Sequence, residues 1–240
     1  MPRSSAQANV ELRNEHRQAL RRHAIELLKL GHGRLDASSF ADSEEEDITG
    51  KLKEAIETLI EADPNAPRWV ERYTVFDEEK PAGIPSIGKQ RPRIDITIKR
   101  RWKFRQSHPR FRFEAKRLSV QKGISPYFGK DGIGCFLRGA YPLTHPEAGM
   151  IGYVQSGNLS DWQHRLGKYA NREARRLRIV PGGEWKDYQC ALPCSSISEH
   201  RHRYFAKLVV VHLLLSFCQK TAPHFVQGFW AFESRPLSSR

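Results

Sequence analysis

Nothing in this sequence is apolar for long enough to cross a membrane. Its most apolar run, YFAKLVVVHLLLSF from Tyr204 to Phe217, is too short for a bilayer and carries Lys207 and His212. It predicts a buried strand or core helix, and no membrane partner. The polar start, MPRSSAQANVELRNEHRQ, lacks the apolar stretch of a secretory signal. Cysteine is sparse: Cys135, Cys190, Cys194 and Cys218 are scattered and frame no disulfide scaffold. A reducing, cytoplasmic setting is the expectation. Cys190, Cys194, His200 and His202 have spacings that fit no standard zinc finger, so a metal-free segment is expected there. His212 is expected to be a core histidine with its hydrogen bonds satisfied.

Acidic charge is also scarce. There are 27 Asp and Glu residues against 40 Lys and Arg, a formal net charge of +13. That surplus favours an anionic partner, most simply nucleic acid. With 240 residues and 39% hydrophobic content, the chain can bury one sizeable core.

The pattern along the chain predicts a mixed α/β layer. Val10 to Leu30 has a helical apolar face, with Gly31 as its stop. Ser43 to Glu46 reads as a capping box opening a second helix, which ends near Asp63-Pro64. A strand is expected at Arg68 to Phe76, then strands at Arg93 to Lys99 and Arg110 to Leu118. A short helix follows near Gly134, then a strand over AGMIGYVQSG. A helix capped by Ser160 and Gln163 is expected to run to about Ile179. The expected division is a helical arm at 1–42 and a main domain at 43–240, the latter with a core at about 43–155 and a C-terminal extension at about 156–240.

The chemistry is concentrated on two of these strands. Side chains alternate across a strand, so Asp95, Thr97 and Lys99 share one face of the first. Arg112, Glu114 and Lys116 share one face of the second. A hairpin register pairing Lys99 with Arg110 sets Asp95 opposite Glu114. Two adjacent carboxylates resist ionising together, and a divalent cation resolves the conflict. Mg²⁺ takes one or two carboxylates plus waters and substrate phosphate. Lys116, two residues beyond Glu114, is placed to orient or deprotonate a water, or to stabilise charge on a phosphoryl group. A surface hairpin with a cross-strand acid pair is the plainer alternative.

The segments RIDI and FRFEAKRL resemble the PD-(D/E)xK nuclease superfamily, with the restriction-endonuclease-like fold. Ile94 stands where the motif has its proline; the E-x-K half is intact. The resemblance spans roughly Ser43 to Gln155 and implies an αβββαβ core, a mixed sheet flanked by helices. It implies Asp95 and Glu114 as ligands of Mg²⁺ or Mn²⁺, Lys116 as the catalytic lysine, and an acid from the first core helix, for which Glu46 is the candidate. Gln155, at the end of a strand, is a candidate contact for water or phosphate. The implied activity is metal-dependent hydrolysis of DNA, with RNA left open, in restriction or phage defence, and with a homodimer or a larger defence complex as partner. The alternatives are an inactive nuclease-fold binding module and a junction- or repair-type nuclease subunit of a complex.

Two basic surfaces suit a nucleic-acid backbone. One is the hairpin loop with Arg100, Arg101, Trp102 and Lys103, where cations alternate with aromatics. The other is the polar face of the helix from Asp161, carrying Arg165, Lys168, Arg172, Arg175 and Arg176.

Overall fold

The computed structural model describes residues 5–79, 94–101 and 109–218. Trp102, Lys103 and the closing segment HFVQGFWAFES lie outside the described residues. The described chain is an α/β structure: a seven-stranded mixed sheet flanked by helices. No helix among the described residues is long and apolar enough to cross a membrane.

Helices α1 (Ser5–His32) and α2 (Glu45–Glu61) precede strands β1 (Tyr73–Glu79), β2 (Ile94–Arg100) and β3 (Arg110–Leu118). A four-residue helix α3 (Gly134–Leu137) leads to β4 (Glu147–Val154), then α4 (Leu159–Arg172), β5 (Lys186–Asp187), β6 (Ser196–His200) and β7 (Leu208–Ser216). The sheet order is β1-β2-β3-β4-β7-β6-β5. Strands β3, β4 and β7 run parallel, and the remaining pairs are antiparallel.

Each face of the sheet is covered. Ile96, Ile98, Phe111, Phe113, Ala115, Ile151, Val211 and Leu213 pack with the apolar faces of α1 and α2. Met150, Val154, Val210 and Leu214 pack on the other side with Phe136 of α3 and Trp162 and Leu166 of α4. The run LVVVHLLLS is therefore a central strand buried on both faces, as its lack of alternation requires. His212 within it has both ring nitrogens bonded, to Tyr127 Oη at 3.0 Å and Ser198 Oγ at 2.7 Å.

Several boundaries differ from the sequence expectation. Strand β1 starts at Tyr73, because Val70–Arg72 forms a 3-10 turn. Helix α1 continues through Gly31, which is not a stop. A Cβ there would stand 2.5 Å from Ile56 Cγ1, so the glycine lets α1 approach α2. Residues Leu20, Ala24, Ile25, Leu27 and Leu28 of α1 belong to the main core, as do Val211, Leu213 and Leu215 of β7. The boundaries at 42/43 and 155/156 thus divide elements that share one core. Helix α4 ends at Arg172 rather than near Ile179; turns follow, and Arg178 adopts a left-handed φ of 56°.

Neither expected capping box forms. The N-cap of α2 is Glu44, with no side-chain cap bond. The carbonyl of Ser43 is held instead by Gln155 Nε2 and Arg117 Nη1. At α4 the cap is Asn158, whose Oδ1 accepts from the Asp161 amide while its Nδ2 donates to Asp161 Oδ2. Gln163 faces the other way, its amide donating to Asp187 Oδ1 and Ser196 Oγ.

Candidate active site

The register of β2 and β3 pairs Lys99 with Arg110 and Ile96 with Phe113, one of the registers that the alternation allows. It brings Asp95 and Glu114 to the same end of the hairpin. Asp95 Oδ2 accepts a hydrogen bond from the Ala115 amide at 2.7 Å. Lys116 Nζ lies 2.9 Å from Glu114 Oε1 and 4.0 Å from Asp95 Oδ2.

A third carboxylate arrives from α2, and it is Glu45. Its Oε1 is 2.6 Å from Lys116 Nζ, and its Oε2 accepts from the Arg117 amide at 3.1 Å. Glu46, the candidate read from the sequence, is exposed and has no hydrogen bond or ion pair among the described residues. Successive helical residues point about 100° apart, so only one of the acids in the run can face the sheet. Glu45 lies three and four residues before Ile48 and Thr49, on the same stripe of α2 that buries Leu52 and Ile56.

The start of α2 is fastened at several points. Gln155 Nε2 donates to the Phe40 and Ser43 carbonyls at 3.0 and 2.8 Å. Arg117 donates to the Ser43 carbonyl and both carboxylate oxygens of Glu44. Thr49 Oγ1 and Tyr153 Oη are 3.0 Å apart, joining α2 to β4. Gln155 thus fastens the segment that carries Glu45, its side-chain amide donating to two carbonyls there.

Tyr141 completes the site. Its hydroxyl donates to Glu114 Oε2 at 3.0 Å. No motif in the sequence marked it; the loop after α3 delivers it, with its ring edge against Phe136.

Burial dominates the electrostatics. Glu114 is only 4% exposed. Burial, then the neighbouring Asp95 charge, push its pKa up to about 8 against the pull of Lys116 and Tyr141. Burial also raises Asp95 to about 6, opposed by Lys116 and the Ala115 amide and reinforced by Glu45 and Glu46. For Lys116, burial disfavours the charge, but Glu114, Asp95 and Glu45 outweigh it and hold the amine protonated well beyond neutral pH. Three carboxylates therefore surround one ammonium. Fully ionised, this cluster has an excess of two negative charges, which matches the charge of a divalent cation. Among the described residues, no three His, Cys, Asp or Glu side chains converge closely enough to form a ready-made metal cage.

The expected nucleic-acid contacts are spread over the surface. Arg101 is exposed and Arg100 half-buried at the end of β2. Arg165, Lys168, Arg172, Arg175 and Arg176 are all exposed. Some already have protein partners: Arg165 lies over the Trp162 ring at 4.1 Å, and Arg172 and Arg176 flank Tyr169 and pair with Glu173. The Cys190–His202 segment forms no metal site among the described residues. His200 bonds Ser198 and the Leu177 carbonyl, and His202 bonds the Phe136 carbonyl.

Comparison with family models, with curated proteins and with solved structures gives no match for this chain.

Proposed function

We propose that this protein is a metal-dependent nuclease that hydrolyses DNA phosphodiester bonds, built on a restriction-endonuclease-like core. The observation that carries this reading is the placement of Lys116 between Glu114 and Glu45, within 4.0 Å of Asp95, on a chain of net charge +13. The element order α2-β1-β2-β3-α3-β4 supports it, as does the resemblance of RIDI and FRFEAKRL to the PD-(D/E)xK pattern.

Asp95 and Glu114 would hold Mg²⁺ or Mn²⁺, with Glu45 as the helical acid. The bound metal would supply charge neutralisation at the phosphoryl group and a lowered pKa for a bound water. Lys116, held as an ammonium, acts as a charge donor toward a phosphate oxygen and not as a base. Tyr141 fixes one oxygen of Glu114, leaving the other to face Lys116. Hydrolysis forms one P–O bond from water and breaks another. The water's proton leaves through solvent or a carboxylate, and the departing oxygen gains a proton.

A second reading, a nuclease-fold module that binds nucleic acid without cutting it, is favoured by one observation: Lys116 already bridges Glu114 and Glu45 as an ion-paired network. Cleavage assays with Mg²⁺ separate the two. The nuclease reading predicts cutting by the wild type and none by Asp95→Ala or Glu114→Ala at unchanged fold. DNA binding without cutting by any of them supports the binding module.

A further inference from the structure

A second charged feature lies outside the carboxylate site. A cleft of about 240 Å³ opens between the loop preceding α3 and the turns that follow α4. Lys130, Arg138, Arg176 and Arg178 line it, and no acid does. Asp131, on the same loop, is exposed and is not part of the lining.

The cleft is built rather than incidental. Arg138 Nη2 donates to the Lys130 carbonyl at 3.0 Å, Arg178 Nη1 to the Leu137 carbonyl at 3.0 Å, and Arg176 Nη1 to the Phe128 carbonyl at 3.4 Å. These bonds fix three guanidinium groups around the loop while leaving other N–H donors on each. Arg176 also pairs with Glu173; Lys130, Arg138 and Arg178 have no ion pair among the described residues. The loop, FGKDGIG, folds back tightly: a Cβ on Gly132 would stand 2.3 Å from the Tyr127 carbonyl oxygen. Arg178 keeps its place through a left-handed φ of 56°, which a non-glycine residue rarely adopts.

Gathering four cations with only one of them, Arg176, paired to an acid costs repulsion, and a bound anion relieves it. Guanidinium forks match the oxygens of a phosphate. Helix α3 connects cleft and site: Gly134 and Leu137 line the cleft, while Phe136 packs edge-on against Tyr141, the donor to Glu114.

We propose that this cleft is a phosphate subsite, holding a backbone phosphate of the nucleic acid whose scissile bond lies at Asp95 and Glu114. The inference rests on the nucleic-acid reading above and adds a contact point to it.

The test is binding of a fluorescent DNA duplex across a salt series, without divalent metal and in an Asp95→Asn background, so that cleavage plays no part. Each phosphate contact contributes a slope of about 0.9 in log affinity against log salt. Lys130→Gln with Arg138→Gln, which removes the contact to the one phosphate, should lower the slope by about 0.9, and Lys130→Gln alone, whose side chain holds no structural bond, by no more than that. Lys51→Gln with Lys53→Gln removes the same charge from α2 and should leave the slope unchanged. An unchanged slope in the cleft variants, or equal losses in the α2 control, overturns the subsite while leaving DNA binding intact. Absence of duplex binding by the Asp95→Asn parent overturns both this inference and the reading it rests on. Loss of inorganic pyrophosphate binding in the cleft variants, with duplex binding retained, assigns the cleft to a free phosphate compound and overturns the backbone assignment.

Discussion

Lys116 of β3 and Glu45 of α2, 71 positions apart in the chain, meet at 2.6 Å between Nζ and Oε1. The contact joins the hairpin that carries Asp95 and Glu114 to the helix above the sheet. It makes Glu45 the third acid of the site, and its other oxygen, Oε2, accepts from the Arg117 amide and ties that backbone in place.

Glu45→Gln is therefore expected to lower metal-dependent cleavage by roughly 10–100-fold, the range seen when groups supporting a metal site are removed. Glu46→Gln, at an exposed position, is expected to change it by no more than about 3-fold, since surface charges at a distance are screened. Paired rate measurements at fixed Mg²⁺ check this. Equal losses in the two variants would remove Glu45 from its assigned place.

This contrast shows how far the sequence can be read. Alternation in RIDITIK and RFRFEAK showed which residues share a face, because one face of each strand is buried and a one-residue slip would expose it; it left pairings two residues apart open, and the structure has the one that pairs Lys99 with Arg110. The helical acid was misplaced by one residue. Ser43 followed by Glu46 satisfies a local capping rule, but the Ser43 carbonyl is taken by Gln155, just after β4, and by Arg117 of β3. Tyr141 could not be read at all, because its partner Glu114 is 27 positions away and no periodic signal links them. The run through β7 was ambiguous between strand and helix, since a segment buried on both faces has no polar side to reveal its period.

The metal-free protein should lose stability as pH rises from about 6.5 to about 8. Glu114 has a folded pKa raised to about 8, so it retains its proton in the folded state while the unfolded chain has released it. Stability from this group is complete below the unfolded pKa near 4.5 and is lost as pH passes through about 8, by up to about 1.4 kcal/mol per pH unit. Asp95 contributes the same sign at lower pH, through about 6. Thermal melts of wild type and Glu114→Gln across this window should diverge, with the variant flatter.

Divalent metal should reverse that trend. Binding requires ionised carboxylates, so the rise in Tm on adding Mg²⁺ is expected to grow from pH 6.5 to pH 8.5. At a concentration of about 100 times Kd the gain approaches about 2.7 kcal/mol. The gain should vanish in Asp95→Asn. An equal gain at both pH values would point to metal binding elsewhere.

On the side of the sheet that packs against α3 and α4, Tyr127, His212, Ser198, His200 and the Leu177 carbonyl form a buried hydrogen-bonded chain. Its proton order is fixed from the carbonyl end: His200 Nδ1 donates to Leu177, so its Nε2 accepts from Ser198. Ser198 then accepts from His212 Nε2, whose Nδ1 accepts from Tyr127. Burial lowers the pKa of His200 to about 4 and that of His212 well below the usual value. Stability from His200 is present above about pH 6.5 and is lost as pH falls through about 4, opposite in sign to Glu114, and His212 acts in the same direction. Ser198→Ala leaves a buried donor and a buried acceptor unpaired, at about 1–3 kcal/mol each. Urea denaturation at pH 7 and pH 5 measures both effects.

The central claim is that Asp95, Glu114 and Lys116 act together on a phosphodiester bond. The most direct measurement is cleavage of supercoiled and linear DNA with Mg²⁺ or Mn²⁺ by wild type and by Lys116→Ala of matched thermal stability. The account predicts cutting by wild type that requires metal, and a loss of cutting in the variant with DNA still bound. Equal cutting by the two proteins, or cutting that persists in chelator, would contradict it.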